Sequence, residues 1–326
     1  MKKLGKNICF SVVGPTCSGK TARVMAIADQ LLKEKNVAGV DIISADSRQV
    51  YKGLEILTGA DVPESFKGSI TLIPPKSDLP YFTNVDDSIL IYGISMIEPT
   101  EEWSLAHFVN FAREIIVWSW SNKRQPILVG GTGLYHKHLF SNDETPQIPQ
   151  DQKFRKQSQK MSVEELQQKL NKIDVNRLDQ LNESDRENPR RLIRAIEVAI
   201  WQQKHRGTSL LQSGSTESPM VWSQVNNQME FISAPLEIIE ERIKRRVQKR
   251  FVSGAIQEVQ KLLDLHLPTS APVLTTLGVP EITQYLEGTL SSEACQQLWS
   301  LHEFQYAKRQ LTWWKKVATS QFRARS

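Results

Sequence analysis

Apolar residues fall in short runs separated by polar and glycine-rich turns. Residues 8–13, ICFSVV, lead straight into the turn GPTCSGKT, and the stretch after it, ARVMAIADQLLKEK, places Val24, Ala28 and Leu31 or Leu32 at helical spacing. The pattern predicts strand, loop and helix. Residues 40–46, VDIISAD, predict a second buried strand that ends on a carboxylate, and 89–97, ILIYGISMI, a third. A mostly apolar helix is predicted over 104–120, and 126–135, PILVGGTGLY, give a fourth strand running into a second glycine-rich turn. Strands alternating with helical patterns predict a largely parallel α/β sheet with ligands at the carboxyl ends of its strands.

The pattern changes near residue 140, where SNDETPQIPQDQKFRKQSQK is polar and punctuated by proline. Ser162 and Glu165 predict a capping box for a helix carrying Leu166, Leu170 and Ile173 on one face. A second helix is predicted over 190–203, a mobile loop over 207–219, a returning strand over 229–234 and two helical tracts to the end. The simplest organisation is a discontinuous core, 1–140 with 201–326, interrupted by a small helical insertion domain at 141–200.

Composition adds limits. Apolar types make up 40% of the 326 residues and charged types 24%, which excludes wholesale disorder. The 41 basic residues against 36 acidic ones give +5, too small an excess to name a nucleic-acid partner. Cys9, Cys17 and Cys295 form no CxxC pair, so neither a disulfide framework nor a cysteine zinc site is expected, and a reducing cytoplasm fits. The first apolar run is too short and too interrupted for a signal segment or a membrane span, so no membrane anchor is expected.

Gly14, Gly19, Lys20 and Thr21 satisfy G-x-x-x-x-G-K-[ST] between a predicted strand and a predicted helix, which is the context a phosphate loop requires. Backbone amides curled around a diphosphate stabilise its charge, Lys20 adds a cation, and Thr21 or Ser18 can ligate magnesium. The fold class expected is therefore α/β with a P-loop NTPase-like core. Asp46 ends its strand facing that loop, as a general base, a metal-associated group or merely the cap of a turn. The tract Arg242, Lys244, Arg245, Arg246, Lys249 and Arg250 reads either as a solvated helix face or as contacts to RNA phosphates, together with Lys308, Arg309, Lys315 and Lys316. Trp313 and Trp314 read as core anchors or as base-stacking groups.

In order along nearly the whole chain, GPTCSGKT (14–21), SADSRQVYKG (44–53), PILVGGTGLY (126–135), DRENPRRLIRAIEV (185–198), RIKRR from Arg242, YLEG (285–288) and QYAKRQLTWW (305–314) resemble the tRNA dimethylallyltransferase, or IPP transferase, family in its shorter bacterial form. The resemblance implies transfer of dimethylallyl from dimethylallyl diphosphate to N6 of the adenosine 3′ of the anticodon, position 37, in tRNAs reading codons that begin with U. It implies Asp46 as general base with Thr16 and Arg242 beside it. The diphosphate cradle it implies is Gly14, Pro15, Thr16, Cys17, Ser18, Gly19, Lys20 and Thr21 with Arg242, and magnesium on Thr21 with Asp46. Ser47, Arg48, Gln49, Arg246, Lys308, Arg309 and Gln310 would face the tRNA anticodon loop, the helical insertion would also contact tRNA, and the chain would act as a cytoplasmic monomer. The rivals are a P-loop small-molecule kinase and a non-catalytic RNA-binding protein that keeps the fold.

The chain departs from the family pattern at several places. The usual histidine pair and aspartate of the third strand are replaced by Ile91, Tyr92 and Ser95. In the segment that follows the second strand, Leu57 stands for a glycine and Ala60 for a lysine, the segment ending at Asp61. Val279 stands for a tyrosine, and Glu303 and Phe304 replace threonine and arginine before the Gln305–Gln310 motif.

Overall fold

The computed structural model describes residues 7–34, 37–60, 62–70, 80–205 and 220–323; Asp61 and the expected loop at 207–219 lie outside the described residues. Seven strands, β1 (Ile8–Val13), β2 (Gly39–Ser44), β3 (Lys67–Ile70), β4 (Pro80–Thr83), β5 (Ile89–Tyr92), β6 (Arg124–Gly130) and β7 (Asn226–Phe231), form one sheet. Their order is β3-β4-β5-β2-β6-β1-β7. The five strands from β5 to β7 run parallel, and β3 and β4 add an antiparallel edge. Every residue of β2 is buried, as a strand covered on both faces requires.

The covering helices come from the predicted periodicities. On one face the helix Lys20–Lys33 packs Val24, Ala28 and Leu31 with Val12, Ile42 and Ile127. On the other, the helix Leu105–Ser121 packs Phe108, Ala112 and Ile115 with Ile43 and Leu128. Ser104 caps that helix, with His107 completing a capping box. A further core joins Leu57 to the helices Leu236–Arg250 and Ser292–Arg323 through Ile239, Ile243, Val247 and Trp299.

Residues 142–221 form a second compact unit, while the first comprises 1–141 and 222–326. The helical unit runs past residue 200 because its last helix, Pro189–Lys204, continues to Lys204. Its core is Phe154, Leu166, Leu170, Leu192 and Ile196, and the capping box of Ser162 and Glu165 is present. Buried Glu197 accepts hydrogen bonds from Arg155 and Arg194, which compensate its charge.

Two strand readings shift, and one pair of strands is not predicted. β5 ends at Tyr92 rather than at residue 97, because Gly93 (φ 86°) and Ser95 (φ 50°) turn the chain away. The pair β3 and β4 is too short, at four residues each, to register as a hydrophobic period. β7 begins three residues earlier than expected, with polar Asn227 placed in the sheet because its Oδ1 accepts from Ser11 Oγ at 2.7 Å.

Candidate active site

β1 and β2 are separated by β6, so the chain leaving β1 must cross over β6 before rejoining the sheet. The carboxyl ends of the three strands lie side by side, Val13 opposite Gly130 and Ser44 opposite Val129. This is the switch point at which an open parallel sheet leaves a crevice for a ligand. A cavity of about 470 Å³ opens there, lined at one end by Lys20, Arg242 and Arg246 and along one wall by Val24, Met25, Ile42, Ile91 and Ile94. Asp46, Tyr306 and Gln310 line it as well.

The phosphate loop follows from the local sequence. Gly14 adopts φ 151°, and a Cβ there would lie 2.0 Å from the Ile232 carbonyl oxygen, so a side chain would push the loop off the sheet. The helix beginning at Lys20 has no side-chain cap and no acidic residue in its first turn. Its N-terminal amides and the positive end of its dipole are left for an anion. Lys20 Nζ donates to the Pro15 carbonyl at 2.6 Å, folded back over the loop. Ser18 Oγ is buried and has no hydrogen-bond partner among the described residues. Burial raises the Cys17 thiol pKa despite the nearby arginines, which argues against a nucleophilic thiolate.

The basic tract splits by helical geometry. Arg242, Arg246 and Arg250, four residues apart, share one face of Leu236–Arg250. Arg242 donates to the Cys17 carbonyl at 3.2 Å and Arg246 to Thr16 Oγ1 at 2.8 Å. Arg250 is buried and donates to the Leu57 carbonyl at 3.2 Å. Lys244 and Arg245 point to solvent and pair along the helix with Glu240 and Glu241. Lys244 and Arg245 thus fit the solvated-face reading, whereas Arg242 and Arg246 face the phosphate loop and Arg250 is buried.

The C-terminal helix closes the cavity. Gln310 Oε1 accepts from the Thr16 backbone amide at 2.8 Å, and a Cβ on Gly131 would lie 2.1 Å from Gln310 Nε2. Trp314 is 1% exposed and its indole donates to the Gly131 carbonyl at 3.3 Å, a core anchor, whereas Trp313 is half exposed against Gly133. Burial, with the negative charge of Asp46 nearby, pushes the Tyr306 phenol up to about 12, so it stays protonated as a donor at neutral pH. From sequence Tyr306 reads only as an aromatic interleaved with the basic residues Lys308, Arg309, Lys315 and Lys316; the buried positions 303, 307, 310 and 314 give one helical stripe that passes beside it.

Asp46 caps its turn, Oδ1 accepting from the Arg48 amide at 2.8 Å, and also lines the cavity. A smaller adjoining cavity of about 290 Å³ shares Thr16, Asp46 and Tyr306 with the first and adds Ser47, Arg48 and Arg309. Arg48 itself donates to the Pro272 carbonyl at 2.5 Å and to Thr275 Oγ1 at 2.9 Å. Gln49 is held between Ser44 Oγ and the Gly59 carbonyl, each at 2.8 Å. Lys308 is exposed beside the Phe304 ring and lines neither cavity.

The divergent positions sort by location. Tyr92, Leu57 and Val279 are buried in the cores, and Ser95 donates to Glu55 at 2.6 Å. Ile91 lines the larger cavity and Leu57 the smaller, and Glu303 brings a buried carboxylate that pairs with Arg246 and with Arg250 at 3.2 Å. Among the described residues no group of three or more His, Cys, Asp or Glu side chains is arranged to hold a metal, and no helix is long and apolar enough to cross a membrane.

Residues 84–317 match the family described as IPP transferase. The chain is 31% identical over 306 residues to a tRNA dimethylallyltransferase of Gloeothece citriformis, covering 93% of this chain and 87% of that one. It is 31% identical over 310 residues to the enzyme of the same description from Acetivibrio thermocellus, covering 94% and 88%. The tRNA isopentenylpyrophosphate transferase of Bacillus halodurans superposes with a TM-score of 0.60 at 26% identity, covering 95% of this chain and 87% of the other. A eukaryotic dimethylallyltransferase acting on tRNA shares the fold, with a TM-score of 0.68 at 19% identity, over 94% of this chain and 69% of its own.

Proposed function

The chain belongs to the IPP transferase family, whose activity is tRNA dimethylallyl transfer, and from that premise we propose how its own residues perform the reaction. The carrying observation is one cavity whose lining joins Lys20 and Arg242, an apolar set and the Asp46 carboxylate. Lys20, Arg242 and the loop amides receive the diphosphate of dimethylallyl diphosphate, and Val24, Met25, Ile42 and Ile94 receive the five-carbon chain. The smaller cavity, walled by Arg48, Tyr306 and Arg309, receives the acceptor adenine.

N6 of the adenosine attacks the allylic carbon as the carbon–oxygen bond to diphosphate breaks. Asp46 accepts the N6 proton, and the leaving group keeps the electron pair of the broken bond. Charge grows on the departing diphosphate in the transition state, where Lys20, Arg242 and the helix N-terminus are already oriented. Magnesium fits the donor set: the Thr21 hydroxyl, the Asp46 carboxylate and the unpartnered Ser18 Oγ are hard oxygen ligands of the kind that hold the ion jointly with a diphosphate. When bound it would offset the charge of the leaving group.

The target is the adenosine 3′ of the anticodon, position 37, in tRNAs reading codons that begin with U. Ser47, Arg48, Gln49 and Arg309 face the anticodon loop, Lys308 adds charge beside it, the helical unit contributes further tRNA contacts, and the protein acts as a cytoplasmic monomer. Incubation with labelled dimethylallyl diphosphate, magnesium and unmodified tRNA tests the reading. Label is expected in the RNA. ATP-dependent phosphorylation would instead reveal a kinase, and RNA retention without either reaction a binding protein.

A further inference from the structure

Glu303 stands on the C-terminal helix and is 4% exposed, yet both of its oxygens are engaged by guanidinium groups: Arg246 on one, Arg250 at 3.2 Å on the other. Those arginines are one helical turn apart, so without a carboxylate between them two like charges would face each other in a poorly solvated space. The Arg246 Nη2 that meets Glu303 is also the nitrogen that donates to Thr16 Oγ1 at 2.8 Å. The Arg250 Nη1 that meets Glu303 also donates to the Leu57 carbonyl at 3.2 Å. The result is a chain from Leu57 through Arg250, Glu303 and Arg246 to the phosphate loop. Two turns further along the same helix, Gln310 accepts from the Thr16 amide at 2.8 Å. The C-terminal helix thus grips Thr16 at its backbone directly and at its hydroxyl through Arg246.

We propose that Glu303 is a positioning residue for the prenyl donor, holding Arg246 against Thr16 so that the phosphate loop is preshaped for the diphosphate. The inference rests on the reading of this cavity as the donor site. It assigns a role to a carboxylate at a position where the family pattern carries threonine. An arginine anchored on one side loses less freedom when an anion arrives, so donor binding, not the chemical step, carries the effect.

The test compares the wild-type protein with Glu303→Gln and Glu303→Asp. Inorganic pyrophosphate binding is followed by calorimetry, and transfer is followed with either the donor or tRNA varied. Glu303→Gln keeps the shape and removes the charge; the donor KM and the pyrophosphate Kd are expected to rise about tenfold, with kcat within about twofold of wild type and the tRNA KM rising by less than the donor KM. Glu303→Asp keeps the charge on a shorter stem and should recover part of that loss. It also carries the test if the glutamine variant does not fold, a rise of about threefold in both constants then being expected. Unchanged constants in a folded variant would overturn the role of Glu303 while leaving the donor site standing. A fall in both would also overturn it, showing that the carboxylate only screens the arginines. Failure of the wild-type protein to bind pyrophosphate would overturn the donor site itself, and this inference with it.

Discussion

The cavity has two walls made in different ways. The phosphate-loop wall is continuous in sequence: residues 14–21 supply the turn, the lysine, the hydroxyls and the helix N-terminus. The opposite wall comes from the helices Leu236–Arg250 and Ser292–Arg323, and nearly 300 residues separate Gln310 from the Thr16 amide it accepts from. The first wall is chemistry fixed by backbone shape. The second supplies side chains whose positions depend on packing, so a substitution there should alter binding more readily than it abolishes reaction. Asp46, just past the end of β2, lines the same cavity from a third segment.

Substitutions should separate the walls in descending order. Asp46→Asn should lower single-turnover transfer by about 10²–10⁴ while leaving pyrophosphate affinity measured without magnesium near wild type, because it removes the proton acceptor and not the loop cradle. Near-normal transfer by that variant would take Asp46 out of the base role. Lys20→Ala should lower kcat/KM for the donor by about 10²–10³, the scale of losing one preorganised charge at a developing anion. Saturation with the donor restoring little of the rate would place its action in the transition state. Gln310→Ala should cost about 1 kcal/mol, or roughly fivefold in donor affinity, since it leaves only the Thr16 amide without its acceptor. A loss as large as that of Lys20→Ala would make the second wall as important as the first. Replacing exposed Lys308 and Lys316 together by alanine should weaken tRNA binding and lower its salt dependence by about two in slope, with donor constants unmoved.

Legibility followed the same division. The strands β1, β2 and β6, the loop between β1 and its helix, and the carboxylate at the end of β2 could all be read from short contiguous patterns. Gly14 is demanded by a carbonyl 2.0 Å from where its Cβ would stand, a contact with distant Ile232, yet the motif around it made the turn readable. The directions of the arginines were not readable in the same way. Composition treats Arg242, Lys244, Arg245 and Arg246 as one tract, and only the partner helix shows that two face the loop while the others pair with Glu240 and Glu241. Leu57 and Val279, departures from the family pattern in sequence, fill one core together with Trp299. Glu303 gained its meaning only when Arg246 and Arg250 were seen on either side of it.

The most direct measurement is a crystal structure of this protein with magnesium and a dimethylallyl thiolodiphosphate, in which sulfur replaces the bridging oxygen and slows the transfer. The diphosphate is predicted within hydrogen-bond distance of Lys20 and Arg242, with the allylic carbon turned toward Asp46 and the methyl groups against Val24 and Ile42. A diphosphate bound elsewhere, or a prenyl chain directed away from Asp46, would contradict the account.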